Sequence, residues 1–318
     1  MHGLPKLWTS ASEARPQAAI LFRVEAITCI FCGTDDSFPA IQENGFTGRK
    51  CRRCGLIYVS PRPSRDEVAN LYGHNHAHIS AGAHLAAEHY KRLHARHTLR
   101  ILRRYATAGQ LLEIGPGAGF FLEEARAAGF APHGIELNPA QLEFIRGRGI
   151  PCVAETVAEA FPGQSFDVVY HCDVISHLHD PIAEFRAMHG RLCERGLLVF
   201  ETGNFGDVRV ERLALVPRFQ YPDHLFFFSS DNITRLLSLS GFELFEAYRY
   251  SLDADLLRWK LAALLRGGHD GRAGGEREPV ARQSALQARI AFFARYRMGA
   301  LFPRHNHHQT VIVVARKK

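Results

Sequence analysis

An apolar strand pattern that runs into three glycines at alternate positions constrains this 318-residue chain more than any other feature. The segment from Leu111 to Gly119 reads LLEIGPGAG, and a helix pattern begins at Phe120. Glycine has no Cβ, so its backbone adopts positive φ readily and a ligand can lie close against it. A strand, a glycine turn and a helix N-terminus in this order predict a nucleotide-type binding corner. On its own, the turn could also be purely structural.

A carboxylate follows the next strand pattern at a spacing that supports a nucleotide site. The segment from Pro132 to Pro139 contains Glu136, 17 residues after Gly119. In a doubly wound sheet this acid lies at the carboxyl end of the second strand, beside the glycine turn. Its oxygens can accept hydrogen bonds from both hydroxyls of a ribose. A solvated glutamate at a strand end is the structural alternative.

From Gly109 onwards, strand and helix patterns alternate along the chain. The seven predicted strands cover residues 111–114, 133–137, 152–154, 167–171, 197–201, 243–249 and 310–316. This alternation predicts an α/β fold with a doubly wound sheet. The segment 251–309, before the last strand, is long for a loop. We expect it to hold an amphipathic helix over 256–265, a glycine-rich link and a basic helix over 285–298.

The glycine motif and two later segments together resemble class I S-adenosylmethionine (SAM) methyltransferases. Glu113, Gly115, Gly117 and Gly119 follow the first motif of that family and not the GxGxxG spacing of dinucleotide enzymes. Residues 166–181 (FDVVYHCDVISHLHDP) resemble the fourth-strand segment of relatives of the ubiquinone O-methyltransferases, and residues 224–243 resemble a late segment of the same group. The resemblance implies a seven-stranded Rossmann-like sheet with strand order 3-2-1-4-5-7-6, in which the last strand is antiparallel.

The same resemblance implies a SAM site at the carboxyl ends of the strands. The residues expected to contact the cofactor are Glu113, Gly115, Gly117, Gly119, Glu136, Leu137, Thr156, Val157 and Asp173. The glycine turn would carry the amino-acid and ribose end, and Glu136 would bind the ribose hydroxyls. Leu137 would enclose the adenine together with the turn at Thr156 and Val157.

Methyl transfer needs alignment of the reactants and, for a hydroxyl acceptor, a base. His177 and His224 both follow predicted strand ends that face the ligand crevice, so they are the candidate bases. Structural hydrogen bonding is the alternative for each of them. Asp173 is the third candidate catalytic residue, either binding the SAM amino group or orienting a histidine. Glu201 and Asn204 are expected to contact the acceptor.

Four N-terminal cysteines predict a structural zinc site. Cys29 and Cys32 form one Cys-x-x-Cys pair, Cys51 and Cys54 form the second, and 18 residues separate the pairs. Four thiolates at this spacing are typical of a closed tetrahedral zinc ribbon, and disulfides are the alternative. The following segment 56–64 (LIYVSPRPS) resembles the lead-in of zinc-ribbon-bearing class I methyltransferases, some of which modify deoxysugars, glycan precursors or natural products. Larger sugar C-methyltransferases carry a further C-terminal domain, which we do not expect here.

The net charge of +7 is concentrated near the C-terminus. The segment 249–318 contains 14 lysine and arginine residues against five acidic ones. A local basic surface favours an anionic substrate or peripheral membrane contact, whereas nucleic acid is not expected; a solvated helical face is the alternative. No apolar run approaches the roughly 18–20 residues of a membrane span, and no secretory signal is recognised, so a cytoplasmic enzyme is expected.

The sequence predicts three segments. These are an N-terminal lead-in and zinc ribbon (1–62), a helical connector or lid (63–108, with a helix over 84–105), and a SAM-binding domain (109–318) with its basic insertion at about 251–309. The leading functional hypothesis is SAM-dependent O-methylation of a small molecule or glycan precursor. The alternatives are an RNA or protein methyltransferase that docks through the ribbon, and a non-catalytic SAM-fold binding protein.

Overall fold

The structure is a computed structural model that describes residues 23–68, 81–213, 216, 219–251, 283–301 and 308–318, with side chains from residue 84 in the second range. The strands are β1 (Val24–Glu25), β2 (Ser37–Glu43), β3 (Phe46–Cys51), β4 (Ile57–Val59), β5 (Arg62–Pro63), β6 (Gly109–Ile114), β7 (Phe130–Ile135), β8 (Cys152–Val153), β9 (Phe166–Cys172), β10 (Leu192–Gly203), β11 (Phe226–Phe227), β12 (Phe242–Ser251) and β13 (Gln309–Lys317). The predicted lead-in up to residue 22, the helix over 256–265 and the glycine-rich link lie outside the described residues.

Helices connect these strands. They are α1 (Ala81–Ala86), α2 (Glu88–Leu102), α3 (Phe120–Ala127), α4 (Pro139–Arg146), α5 (Pro181–Arg191), α6 (Val210–Leu213), α7 (Ser230–Leu239), α8 (Ala285–Phe292) and α9 (Gly299–Leu301). A π-helical segment, Phe293–Met298, joins α8 to α9. The predicted basic helix over 285–298 is therefore present, with a wider turn in its second half.

Seven strands form the main sheet in the order β8-β7-β6-β9-β10-β13-β12. Neighbouring strands from β8 to β10 are parallel, and β13 is antiparallel to both β10 and β12. This arrangement confirms the predicted strand order 3-2-1-4-5-7-6 with an antiparallel last strand. All seven predicted strands are present. The central strands β6, β9, β10 and β13 contain apolar runs that are buried on both faces of the sheet, whereas the edge strand β12 is partly exposed.

Alternate side chains along the central strands separate two apolar layers. Leu111 and Val168 belong to the layer that packs with Leu99 of α2. Leu112 and Val169 belong to the layer on the opposite face, together with residues of α5 and α7. Burying each such aliphatic side chain contributes roughly 1.5–3 kcal/mol. The two faces therefore fix which strand-end side chains meet the helix α2 and which meet the ribbon.

Local sequence signals set the starts of the helices around the sheet. The Asn138 side chain accepts hydrogen bonds from two backbone N–H groups at the start of α4, and Pro139 follows it. The Asp180 side chain caps α5 in the same way, with Pro181 as the first helical residue. Such residues satisfy backbone donors that a helix start leaves unpaired. They bring each strand-end loop into a fixed geometry at the carboxyl edge of the sheet.

The helical connector is divided, whereas the sequence predicted one helix over 84–105. The break lies at Ala87, where φ is −92° and ψ is 13°, outside the helical range. Because the end of α2 leads into the amino end of β6, the N-terminal half of α2 lies beside the carboxyl ends of the strands. The connector therefore covers the edge of the sheet where the sequence predicts a ligand site.

The ribbon shares a sheet and a core with the rest of the chain. Strands β2, β3 and β4 are antiparallel, and β11, from beyond residue 220, pairs with β4. Cys51, Leu56 and Tyr58 belong to the same buried layer as Leu112 of the main sheet. The Asn232 side chain donates to the Cys54 carbonyl at 2.9 Å. The predicted segment boundary at residue 62 stays a prediction, and the packing across it is continuous.

Candidate functional site

The glycine turn after β6 has the backbone conformation that the sequence predicts. The φ angles of Gly115, Gly117 and Gly119 are +67°, +59° and +73°. An added Cβ would lie 2.4 Å from His84 Nδ1 at Gly117 and 2.8 Å from Ile145 Cγ1 at Gly119. Both the backbone angle and the available space therefore require glycine at these positions. His84 of α1 covers the turn from the lid side.

Glu136 follows β7 and contacts the glycine turn directly. Its Oε2 accepts a hydrogen bond from the Gly117 backbone N–H at 2.9 Å, and its Oε1 accepts one from Asn138 N–H at 2.8 Å. Burial raises the pKa of this carboxyl, and the backbone donors oppose that shift. Each carboxylate oxygen has a second lone pair, so both oxygens of Glu136 can still accept hydrogen bonds from ribose hydroxyls.

The three residues predicted around the adenine differ in exposure. The Leu137 side chain is 51% exposed beside Glu136, and such an apolar surface is suited to a nucleobase. Val157 is buried in the core. Thr156 is exposed, and its hydroxyl donates to Glu159 Oε2 at 2.7 Å. Leu137 is therefore the member of this set with an accessible apolar face.

Glu113 is a buried acid at the end of β6. Only 4% of the residue is exposed, and within the part of the chain that the structure describes its Oε2 has no hydrogen-bond partner. Burial raises the pKa of Glu113 well above its usual range, while Lys91 opposes the shift. A buried polar atom without a partner costs roughly 1–3 kcal/mol, so this oxygen fits a ligand that brings a hydrogen-bond donor.

Asp173 lies immediately after β9 in a left-handed conformation, with φ of +55°. Such a conformation is uncommon for a residue other than glycine and is often found at functional sites. The side chain is accessible to solvent but enclosed by protein, and burial together with Glu201 raises its pKa; Arg295 and Lys91 oppose that shift. The carboxylate thus lines a crevice and can meet a cationic group such as an ammonium.

A buried hydrogen-bond network borders this crevice. The two Glu201 oxygens are bonded to His94 Nε2 at 2.7 Å and to the Tyr296 hydroxyl at 2.8 Å. Burial works to raise the Glu201 pKa, but His94, Arg295 and the Tyr296 hydroxyl outweigh it and lower that pKa to about 2. Glu201 therefore remains ionised and fastens α2 and the π-helical segment to β10.

His94 and Tyr296 were not predicted from the sequence, and Glu201 was predicted to contact the acceptor. The only sequence signal was an acid at the end of the apolar run LLVFE, since its partners lie 107 and 95 residues away. Asn204, also assigned to the acceptor, is 2% exposed, and its Oδ1 accepts a hydrogen bond from the Gln309 backbone N–H at 2.6 Å. The Asn204 side chain therefore links the end of β10 to the start of β13.

The structure brings His177 and His224 together. Their ring centroids are 4.4 Å apart and the rings are nearly perpendicular. His177 Nδ1 lies 3.0 Å from the Asp223 carbonyl oxygen and 3.5 Å from its Oδ1. An N–H at Nδ1 that donates to Asp223 fixes the tautomer and makes Nε2 the acceptor atom. Asp223 is 5% exposed and is a further residue that the sequence analysis missed.

The four N-terminal cysteines converge. Their sulfur atoms all lie within 4.8 Å of one another, and those of Cys29 and Cys54 are 3.5 Å apart. That separation is far longer than a disulfide bond, and the cysteines are free thiols. Gly33 and Gly55, which follow the two pairs, have φ of +62° and +73°. Four convergent thiols with tight turns fit a tetrahedral zinc ion.

Within the ranges that the structure describes, every helix is too short or too polar to cross a membrane. A family model described as a methyltransferase domain matches residues 86–247, just over half of the chain. The ubiquinone biosynthesis O-methyltransferase of Pseudomonas aeruginosa (strain LESB58) is 34% identical over 124 residues, which cover 35% of this chain and 53% of that protein. The enzyme of the same name from Ruegeria pomeroyi is 34% identical over 104 residues, covering 30% and 41%.

The chain thus spans about half the length of the curated relatives it matches. Among solved structures, coclaurine N-methyltransferase with bound N-methylheliamine and S-adenosylhomocysteine is 13% identical, with a TM-score of 0.46 and coverage of 70% of this chain and 72% of that chain. Mycolic acid cyclopropane synthase complexed with S-adenosylhomocysteine is 17% identical, with a TM-score of 0.43 and coverage of 66% and 78%.

Proposed function

The chain belongs to the methyltransferase domain family, and from that premise we propose that it transfers a methyl group from SAM to a hydroxyl of a small molecule or glycan precursor. The observation that carries the proposal is the contact between the glycine turn and Glu136, which joins the two parts of a nucleoside site. The match to ubiquinone biosynthesis O-methyltransferases supports oxygen as the methylated atom. SAM would supply a methyl carbon already activated by its sulfonium.

The residues of the crevice fit the parts of this cofactor. The positive-φ glycines let its backbone approach, and Glu136 can accept hydrogen bonds from the ribose hydroxyls. Glu113 Oε2 has no hydrogen-bond partner among the described residues, and the Asp173 carboxylate is accessible, so both are suited to an ammonium group. Because the departing thioether needs no proton, the protein mainly has to align the two reactants.

For a hydroxyl acceptor we propose His177 as the base. Asp223 holds the Nδ1 side of the ring, so the proton of the acceptor hydroxyl would pass to Nε2. His224 packs against the same ring and would hold it in place. Such a base contributes roughly 10²–10⁴-fold to a rate.

We propose that the four-cysteine cluster binds a structural zinc ion. The four thiols leave no ligand position for a substrate, so the ion would stabilise the ribbon and take no part in methyl transfer. Two of the basic residues of the ribbon are engaged within the protein, whereas Arg52 and Arg53 are exposed. Lys50 donates to the Gly206 carbonyl at 3.0 Å, and Arg49 Nε donates to Ser37 Oγ at 2.9 Å. This engagement favours a small acceptor over RNA docking through the ribbon.

Replacing Glu136 with alanine is expected to weaken S-adenosylhomocysteine binding at least tenfold, or about 1.4 kcal/mol. The variant loses the acceptor for the ribose hydroxyls and the bond that holds Gly117 N–H. Calorimetric titration measures the affinity. Glu143→Ala, on the exposed surface of α4, is the matched control and should bind like the wild type. No binding to folded, zinc-loaded wild type would refute the cofactor site.

Replacing His177 with glutamine is expected to lower the turnover number about 10²-fold or more while S-adenosylhomocysteine affinity stays within a factor of three. Single-turnover rates measure the first effect and calorimetric titration the second. His189→Gln, at the far end of α5, should retain the wild-type rate. If His224→Gln alone lowers the turnover number to this extent, the base is His224.

A further inference from the structure

Arg295 lies in the π-helical segment Phe293–Met298, outside the matched region 86–247. Its Nε donates to Thr310 Oγ1 at 3.0 Å, and its Nη1 donates to the Tyr90 hydroxyl at 3.3 Å. These two bonds use two of five N–H donors and fix the guanidinium between β13 and α2. A π-helical turn widens a helix and redirects its side chains, and such turns are frequent at functional sites.

The Arg295 guanidinium is half-buried, and within the described ranges no carboxylate pairs with it directly. None of the described carboxylates lies within ion-pairing distance of Arg295, and both oxygens of the nearby Glu201 are bonded to His94 and Tyr296. Glu201 and Asp173 are near enough to interact with Arg295 through space. A partly desolvated cation is costly unless hydrogen bonds or an anion satisfy its remaining donors.

Tyr90 completes the site from the other side. Its hydroxyl accepts the hydrogen bond from Arg295 and also interacts with the Tyr296 side chain, so it lies directly beside the guanidinium. Burial raises the pKa of Tyr90, so the proton stays on the hydroxyl at neutral pH. A guanidinium and a phenol held next to each other can both donate hydrogen bonds to one anionic group.

The position of this pair separates it from the glycine turn. The glycine turn follows β6, whereas Arg295 is anchored on β13, three strands away across β9 and β10. Adjacent strands are about 4.8 Å apart, so the anchor lies on the order of 14 Å from the turn. Asp173, after β9, lies between them. An anion bound by Arg295 would therefore belong to the acceptor side of the crevice.

We propose that the methyl acceptor carries an anionic group, a carboxylate or a phosphate, and that Arg295 and Tyr90 bind it. This inference rests on the proposed function and adds the acceptor class. Arg295 belongs to the segment between β12 and β13, so this segment would supply the selectivity for the acceptor. Arg295 here binds the acceptor and takes no part in the proton transfer.

The test uses the zinc-loaded full chain saturated with S-adenosylhomocysteine, with benzoate, phenyl phosphate and neutral benzyl alcohol as probes at constant ionic strength. Binding is measured by calorimetry. We expect at least one of the two anions to bind more tightly than the alcohol, and the tighter anion identifies the group. Arg295→Gln should weaken that anion at least tenfold, Arg295→Lys less, and Tyr90→Phe by an intermediate factor. Arg297→Gln, on the exposed side of the same segment, is the control.

Affinity for S-adenosylhomocysteine separates the possible failures. If Arg295→Gln weakens the cofactor product tenfold and leaves anion binding unchanged, the guanidinium serves the cofactor and the inference is wrong. Equal binding of all probes to wild type and Arg295→Gln also overturns it, while the proposed function stands. A wild-type protein that binds no S-adenosylhomocysteine overturns the proposed function, and this inference with it.

Discussion

Replacing Cys51 with serine is expected to lower the melting temperature by roughly 10–20 °C and to remove zinc from the protein. Structural zinc contributes on the order of 10 kcal/mol to the folding of small zinc domains, and a net loss of about 5 kcal/mol corresponds to such a shift in a chain of this size. Cys51 is 2% exposed and belongs to the same core layer as the main sheet. Loss of the metal should therefore destabilise the main sheet as well as the ribbon.

The same substitution is expected to reduce methyl transfer more than cofactor binding. Arg62, at the end of the ribbon, donates to the His179 carbonyl at 2.7 Å, and β11 pairs with β4 just after His224. Both loops that carry the histidine pair are thus held by the ribbon. The glycine turn and Glu136 lie elsewhere on the sheet. S-adenosylhomocysteine affinity should change less than tenfold at a temperature where the variant is folded.

Calorimetric melting, atomic absorption for zinc and titration with S-adenosylhomocysteine measure these effects. Cys193→Ser is the matched control, because Cys193 is a single half-buried thiol 3.5 Å from Asp167 Oδ1 and outside the cluster. It should retain one zinc per chain and a melting temperature within a few degrees of wild type. A Cys51→Ser protein with unchanged zinc content and melting temperature would contradict the zinc assignment.

The strands of the main sheet could be predicted from the sequence because the signals that mark each strand lie within the strand itself or next to it. Each central strand is an apolar run such as LLEI or LLVFE, and a helix with a recognisable start follows. The glycine turn is also local, since positive φ at Gly115, Gly117 and Gly119 excludes most other residues. The order of the strands came from the family resemblance. Propensity and periodicity alone do not specify which parallel strands become neighbours.

The remaining parts of the site depend on contacts between distant segments. The pairing of β11 with β4 joins a two-residue strand to the ribbon across more than 160 residues, and no local pattern marks it. The bonds of Glu201 to His94 and Tyr296 join three separate segments in the same way. Buried polar residues gain their partners only when the helices pack on the sheet. The sequence of each segment alone therefore predicted Glu201 as a contact of the acceptor, and its partners His94 and Tyr296 were not foreseen.

Replacing Glu201 with glutamine is expected to destabilise the protein by about 3–5 kcal/mol at pH 7, because it leaves buried groups that were paired with an ionised carboxylate. A carboxylate offers a separate oxygen to His94 Nε2 and to the Tyr296 hydroxyl. A glutamine has only one acceptor oxygen, so one of these two groups would face its NH2 group instead. The amide also removes the negative charge that lies close to Arg295. Urea unfolding measures the free-energy difference. Glu243→Gln, an exposed glutamate at the edge of β12, should stay within about 0.5 kcal/mol of wild type.

The destabilisation caused by Glu201→Gln should decrease as the pH is lowered. The pKa of Glu201 is lowered to about 2 in the folded chain, below the ordinary glutamate value of about 4.3. The unfolded chain therefore takes up the proton first, and the stabilisation is complete above about pH 5 and lost as pH falls towards 2. The difference in the free energy of unfolding between wild type and Glu201→Gln should decrease as the pH falls through this window. The corresponding difference for Glu243→Gln should stay constant. A gap that is equally large at pH 7 and pH 3 would show that lost packing, and not the charge of Glu201, causes the destabilisation.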